Sequence, residues 1–191
     1  NNKSMEISKK GKILEFIIAL FFILIGISLR IIPHAPNFTP IAAIALFGGV
    51  YFSKKIALFL PVLAMLISDV FIGFYDLKIM AAVYGSFILC TILGFWLKKR
   101  KKWQTVAGAA ILSSVLFFLI TNFAVWAFSP WYAKTFSGII QSYIMALPFF
   151  RNTLLGDLFY VGAFFGAYEA ATILIKKKFK AKANSIASVQ I

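Results

Sequence analysis

Arg30–Lys55, RIIPHAPNFTPIAAIALFGGVYFSKK, is the stretch on which the fold turns. Its first eleven residues hold the only histidine, three of the six prolines and an arginine. Each proline lacks an N–H and biases the preceding residue toward extended backbone, so no regular helix runs through Arg30–Pro40. The next thirteen residues, Ile41–Ser53, are apolar and end at Lys54-Lys55. A membrane-spanning helix normally takes roughly 17–25 residues. The segment therefore either crosses, or dips in and returns, and every later element changes side with that choice.

Composition settles the class around it. Of 191 residues 61% are hydrophobic and only 14% charged, whereas soluble domains are about half apolar and about a quarter charged. The net charge of +14 would point to nucleic acid in a soluble protein. Here the lysines sit in short clusters between long apolar runs, the pattern of cytoplasmic membrane flanks, so the expected partner is the lipid bilayer and not nucleic acid. A single cysteine, Cys90, leaves no internal disulfide and no multi-cysteine metal site.

The expected architecture is an all-α integral membrane protein. Residues 1–12 form a basic flank and 13–176 a six-helix domain, with spans near 13–29, 41–53, 56–74, 79–97, 104–128 and 153–175; residues 177–191 are a basic tail. No small-x-small cleavage site separates the first span from Arg30, so that helix is read as retained. With six crossings and both termini cytoplasmic, 16 of the 20 Lys/Arg fall inside, leaving Arg30, Lys78, Lys134 and Arg151 outside. If Ile41–Ser53 only dips in, the split becomes seven inside and 13 outside. The excess of cytoplasmic Lys/Arg in membrane proteins selects six spans and a multi-pass protein of the cytoplasmic (inner) membrane. The same rule keeps 135–147 from crossing, which makes it an interfacial helix on the outer surface. Trp96 and Trp103 then bracket the inner boundary, Trp126 and Trp131 the outer one.

Polar groups gather in the outer half. Asp69 lies about 8 Å and Asp157 about 6 Å from the outer ends of their helices, at ~1.5 Å per residue. Ionisable residues at such depth mark function or a buried pair. Near them fall Arg30, His34, Asn37, Tyr84, Asn122, Trp126, Arg151, Asn152 and Tyr160, the candidate substrate-binding set. Structural roles compete with binding. The aspartates can pair with Arg30 or Arg151, His34 can be a solvated loop residue, and Asn37 can cap the second helix. Glu15 and Glu169, near the inner boundary, are read as partners of flanking lysines. Two small-residue stripes on the last helix, Gly162/Gly166/Ala170 and Ala163/Ala167/Ala171, are expected to pack the inner half tightly. For catalysis the pattern is poor. There is no Gly-x-Ser-x-Gly element, no phosphate-binding loop and no clustered metal ligands, so neither enzyme activity nor a cofactor is expected.

Arg30–Phe47 (RIIPHAPNFTPIAAIALF), Leu66–Tyr75 (LISDVFIGFY), Val83–Phe87 (VYGSF), Leu119–Trp126 (LITNFAVW) and Ala146–Tyr160 (ALPFFRNTLLGDLFY) carry a resemblance. Over residues 28–170 the chain resembles a bacterial membrane family ascribed to transport but of unknown function. That family is similar to the substrate-binding S components of energy-coupling-factor (ECF) vitamin transporters. The resemblance implies a six-helix bundle that binds a small-molecule micronutrient, a vitamin or metal species, near the extracytoplasmic face. The loop after helix one would act as its cover. It also implies an integral T component and two ATPases as partners. Asp69, Asn122, Arg151, Asn152 and Asp157 would be the counterparts of the pocket residues. Helix one has no Ala-x-x-x-Ala pair of the kind many S components use to contact the T component. Solitary S-component-like cobalamin transporters, in which a cysteine can ligate cobalt, give Cys90 a reading as a soft-metal ligand. A substrate-free membrane scaffold and a proton-coupled carrier are the alternatives to transport by this route.

Overall fold

Helix α2 (Ile41–Tyr51) is the axis on which the other elements are packed. Its residues Ile41 to Val50 are all buried, so it is apolar on every side and has no solvent- or lipid-facing stripe. The computed structural model describes the backbone of residues 2–187 and the side chains of residues 11–174, 176 and 177. Around α2 stand α1 (Asn2–Ile31), α3 (Lys54–Ile72), α4 (Leu77–Leu97), α5 (Trp103–Phe128) and α6 (Phe136–Ala187), with no strand among the described residues. Helices α3, α4, α5 and α6 all contact α2, while α1 leans mainly on α3. Gly11–Ile31, Lys54–Ile72, Leu77–Leu97 and Trp103–Phe128 are each long and apolar enough to cross a membrane.

Small residues explain how so short a helix can sit inside the bundle. Gly49 of α2 meets Gly94 of α4 so closely that a Cβ on Gly94 would lie 2.5 Å from the Leu46 carbonyl oxygen and 2.9 Å from Gly49 Cα. Below that crossing, Phe47 is the hub of an aromatic cluster. Its ring centroid lies 4.8 Å from Phe22, 4.5 Å from Tyr51 and 5.4 Å from Phe165. Rings at these separations, mostly tilted or edge-on, add about 0.5–1.5 kcal/mol each beyond their buried area.

The basic clusters collect at one end. Lys101 Nζ donates to Glu169 at 2.5 Å and to the Tyr51 hydroxyl at 3.1 Å, and the Ser53 N–H donates to Glu15. Glu169 as hydrogen-bond acceptor pushes Lys101 above the ordinary lysine range, with partial burial opposing it. These contacts tie the α2–α3 turn, the α4–α5 turn and α6 together. The Ile32–Pro40 loop lies at the other end, α1 running on through Arg30 to Ile31, and α2 therefore joins the lysine end to the loop end.

The helices depart from the sequence expectation in several places. The basic flank at 1–12 is helical from Asn2 onward, continuous with α1. The tail at 177–191 is helical to Ala187, and its last four residues lie outside the described residues. The interfacial helix at 135–147 and the span at 153–175 are one helix, α6, with Pro148 inside it. Proline removes one backbone hydrogen bond, but packed neighbours hold the helix on both sides: Tyr143 donates to Leu119 O at 2.8 Å and the Phe150 ring packs, tilted, 4.7 Å from Phe118. The small-residue stripes are corrected as well. Gly162, Ala163, Ala167, Ala170 and Ala171 are exposed, and the close helix contact is Gly49 on Gly94 instead.

Candidate functional site

The Ile32–Pro40 loop that follows α1 is folded by its own sequence. Phe38 N–H donates to Ala35 O at 3.0 Å, closing a β-turn with Pro36 and Asn37 at its centre. Asn37 has φ +64, the left-handed value that a type II turn requires at its third residue and that asparagine tolerates best after glycine. That conformation overturns the capping role for Asn37: Pro40 is the N-cap of α2 and receives no side-chain bond.

The turn is docked on α6. Asn152 Nδ2 donates to Pro36 O at 3.0 Å, and the Phe38 ring packs 5.5 Å from Tyr160 and 6.0 Å from Phe159. Gly156 makes room for it, since a Cβ there would touch Phe38 at 3.3 Å. Asn37 is thereby held over the gap between α4, α5 and α6.

That gap is a cavity of about 210 Å³. Ile79 and Val83 of α4, Phe117, Phe118, Thr121 and Asn122 of α5, and Phe149, Phe150 and Thr153 of α6 form its walls, with Asn37 at its mouth. A second chamber of about 30 Å³ shares Asn37, Phe117 and Thr153 with it and reaches Asp157. Asp157 is 2% exposed; its Oδ2 accepts a hydrogen bond from Ser114 at 2.6 Å, and no Lys or Arg pairs with it among the described residues. The neighbouring Ser113 Oγ is buried with no hydrogen-bond partner among the described residues.

The other buried aspartate belongs elsewhere. Asp69 is fully buried, with Oδ1 2.8 Å from Arg30 Nη1 and Oδ2 accepting from the Tyr84 hydroxyl at 2.7 Å. Arg30 also donates to Ser68 Oγ and, at 3.3 Å, to Met65 O. Adjacent α4 residues, about 100° apart around the helix, make the division: Val83 lines the cavity and Tyr84 reaches Asp69. Arg30, Asp69 and Tyr84 thus form a network that fastens α1, α3 and α4, apart from the cavity.

Of the sequence candidates, then, Asn37, Asn122 and Asp157 line the two chambers, and Asn152 and Tyr160 hold the loop over them. Trp126 is turned to Ala133 O, which its Nε1 contacts at 3.0 Å. Arg151 and His34 are exposed, and the His34 Nδ1–H donates to Ile32 O at 2.6 Å. Cys90 is enclosed by Ala42, Ala64, Met65 and Phe87. The aromatic walls escaped the sequence reading because 22 phenylalanines in a lipid-facing chain give no spacing signal. The turn did have one, the Pro36-Asn37 pair.

No curated protein and no solved structure matches the chain. Residues 11–182, which include every wall of the cavity, match a family of unknown function, DUF6580, and the chain belongs to that family.

Proposed function

We propose that this chain is a six-span protein of the cytoplasmic membrane that binds a small solute from outside, as the S-component resemblance implies, for uptake. One observation carries the reading: a cavity with Asn37 of the docked turn at its mouth and a buried carboxylate in the small chamber that shares its walls. Wells of this kind, mostly apolar with a few convergent polar groups, are the usual form of small-molecule sites. The charge count supports the orientation, with the lysine end cytoplasmic and the loop end outside. In this arrangement α2, only 11 residues and about 16 Å long, need not meet lipid at all.

A second reading, a partner-binding scaffold, draws on the exposed Gly162, Ala163, Ala167, Ala170 and Ala171 face of α6, which suits close helix contact. It is compatible with the T component and ATPases that the resemblance implies. It does not explain the cavity.

Labelling and uptake test the proposal together. A membrane-impermeant thiol reagent applied to intact cells is expected to modify Asn37→Cys and leave Lys99→Cys unmodified, with the buried Cys90 silent in both. Loss of the gene is expected to reduce uptake of at least one vitamin or metal species. Labelling of Lys99→Cys from outside would reverse the topology, and unchanged uptake across a full micronutrient panel would remove the transport reading.

A further inference from the structure

Three of the donors lining the upper chamber are committed to helix backbone. Thr121 Oγ1 donates to Phe117 O at 2.7 Å, Asn122 Nδ2 to Phe118 O at 2.7 Å, and Thr153 Oγ1 to Phe149 O at 3.0 Å. Each hydroxyl has one proton, and it is spent on the helix backbone. What remains for a ligand is the lone pairs of Thr121 and Thr153, and the amide oxygen and second N–H of Asn122. At the bottom stands the Asp157 carboxylate, with one oxygen bonded to Ser114 and no basic partner among the described residues. Uncommitted donors among the described residues are the second N–H of Asn122, the Asn37 amide at the mouth and, in the lower chamber, the Thr39 hydroxyl.

The Asp157 carboxylate, with no basic partner among the described residues, disfavours anions and rewards N–H donors, above all charged ones. A buried carboxylate without a cation is costly, and a ligand that supplies the cation removes that cost. The walls agree. Phe117, Phe118, Phe149 and Phe150 line the chamber, and aromatic side chains attract both flat rings and cations. Size narrows the class further. A cavity of about 150 Å³ holds benzene, so the upper chamber takes one substituted ring or a small two-ring system. The lower chamber, about 30 Å³, takes little more than one amino-sized group.

We infer that the ligand is a small aromatic or heteroaromatic cation, its ring seated in the upper chamber against the α5 and α6 phenylalanines and its N–H group donating to Asp157. This rests on the cavity being the binding site, and goes beyond it by fixing the charge and donor character of what is bound.

Benzamidine, benzylamine, benzyl alcohol and benzoate, titrated calorimetrically into the detergent- or nanodisc-held protein, separate the two claims. Benzamidine or benzylamine is expected to bind at least about tenfold more tightly than benzyl alcohol, with benzoate weakest. Asp157→Asn, nearly isosteric, is expected to lower benzamidine affinity on the order of 100-fold while changing benzyl alcohol little. Binding of benzoate or benzyl alcohol as tight as benzamidine would overturn the cation assignment and leave the cavity as the site. If all four give no heat, and the cavity-filling Ala146→Phe behaves as wild type against them, the cavity reading itself fails. The wild-type charge series stands even if Asp157→Asn does not fold.

Discussion

Arg30→Met is expected to destabilise the protein by roughly 3–5 kcal/mol, the cost of leaving a buried carboxylate without its cation. Asp69 is wholly enclosed and Arg30 sits 2.8 Å from it, so water cannot take the guanidinium's place without opening α1 from α3. The informative comparison is with combined variants. Arg30→Met with Asp69→Leu removes both charges and is expected to recover most of the loss, because a well-packed apolar pair often equals a buried ion pair. The Tyr84 hydroxyl would then lack its acceptor, at about 1–3 kcal/mol, and adding Tyr84→Phe is expected to restore that too. Denaturant unfolding of the purified variants measures the series. Because the network faces away from the cavity, the triple variant is also expected to keep whatever the wild type binds. Loss of binding in a stable triple variant would move Arg30 and Asp69 into the site.

Gly94→Val is expected to cost about 3 kcal/mol or more, since overpacking here has no soft neighbour to displace. A Cβ at Gly94 would meet the Leu46 carbonyl and Gly49 Cα, both backbone of the central helix, so relief requires moving α2. That displacement would pass to Phe47 and its aromatic cluster, and at the other end of α2 to Ala42, which lines the lower chamber. Gly85→Ala on the same helix is the control. Nothing lies within 4 Å of the added carbon, and the change is expected to be neutral or stabilising by up to about 1 kcal/mol. Thermal unfolding of the pair should separate them widely. Similar melting temperatures for Gly94→Val and wild type would mean that α2 and α4 are not in contact as described.

How far the sequence carried depended on what marked each element. Charges and turn residues mark the ends of α4 and α5, and the expected 79–97 and 104–128 fall within two residues of Leu77–Leu97 and Trp103–Phe128. Hydropathy also marks α1, α3, α4 and α5 as long apolar helices. Length alone leaves α2 open between crossing and dipping in, and the structure shows an 11-residue helix buried along Ile41–Val50 whose surroundings are protein. Pro148 misleads. It reads as a stop, yet tertiary contacts from Phe118 and Leu119 carry the helix through it.

Shared depth along separate helices was enough to group Asn122 with Asp157, and the proline-rich loop with both. It could not separate Asp69 from them, because depth is blind to which face of α4 each group meets. Tyr84 and Val83 make that division, and only packing shows it. Ser114, the one hydrogen-bond partner of Asp157 among the described residues, was equally hidden, since serine is common in close-packed helices.

The central claim is that the chamber between Asn37 and Asp157 holds a small molecule. Native mass spectrometry of gently purified wild type and Ala146→Phe tests it most directly, because Ala146 lines the cavity and a phenyl group there would occupy it. Wild type is expected to carry a discrete low-mass adduct that Ala146→Phe lacks while remaining folded. An adduct of the same mass and occupancy on both proteins, or none on wild type after purification from cells grown in rich medium, would contradict the account.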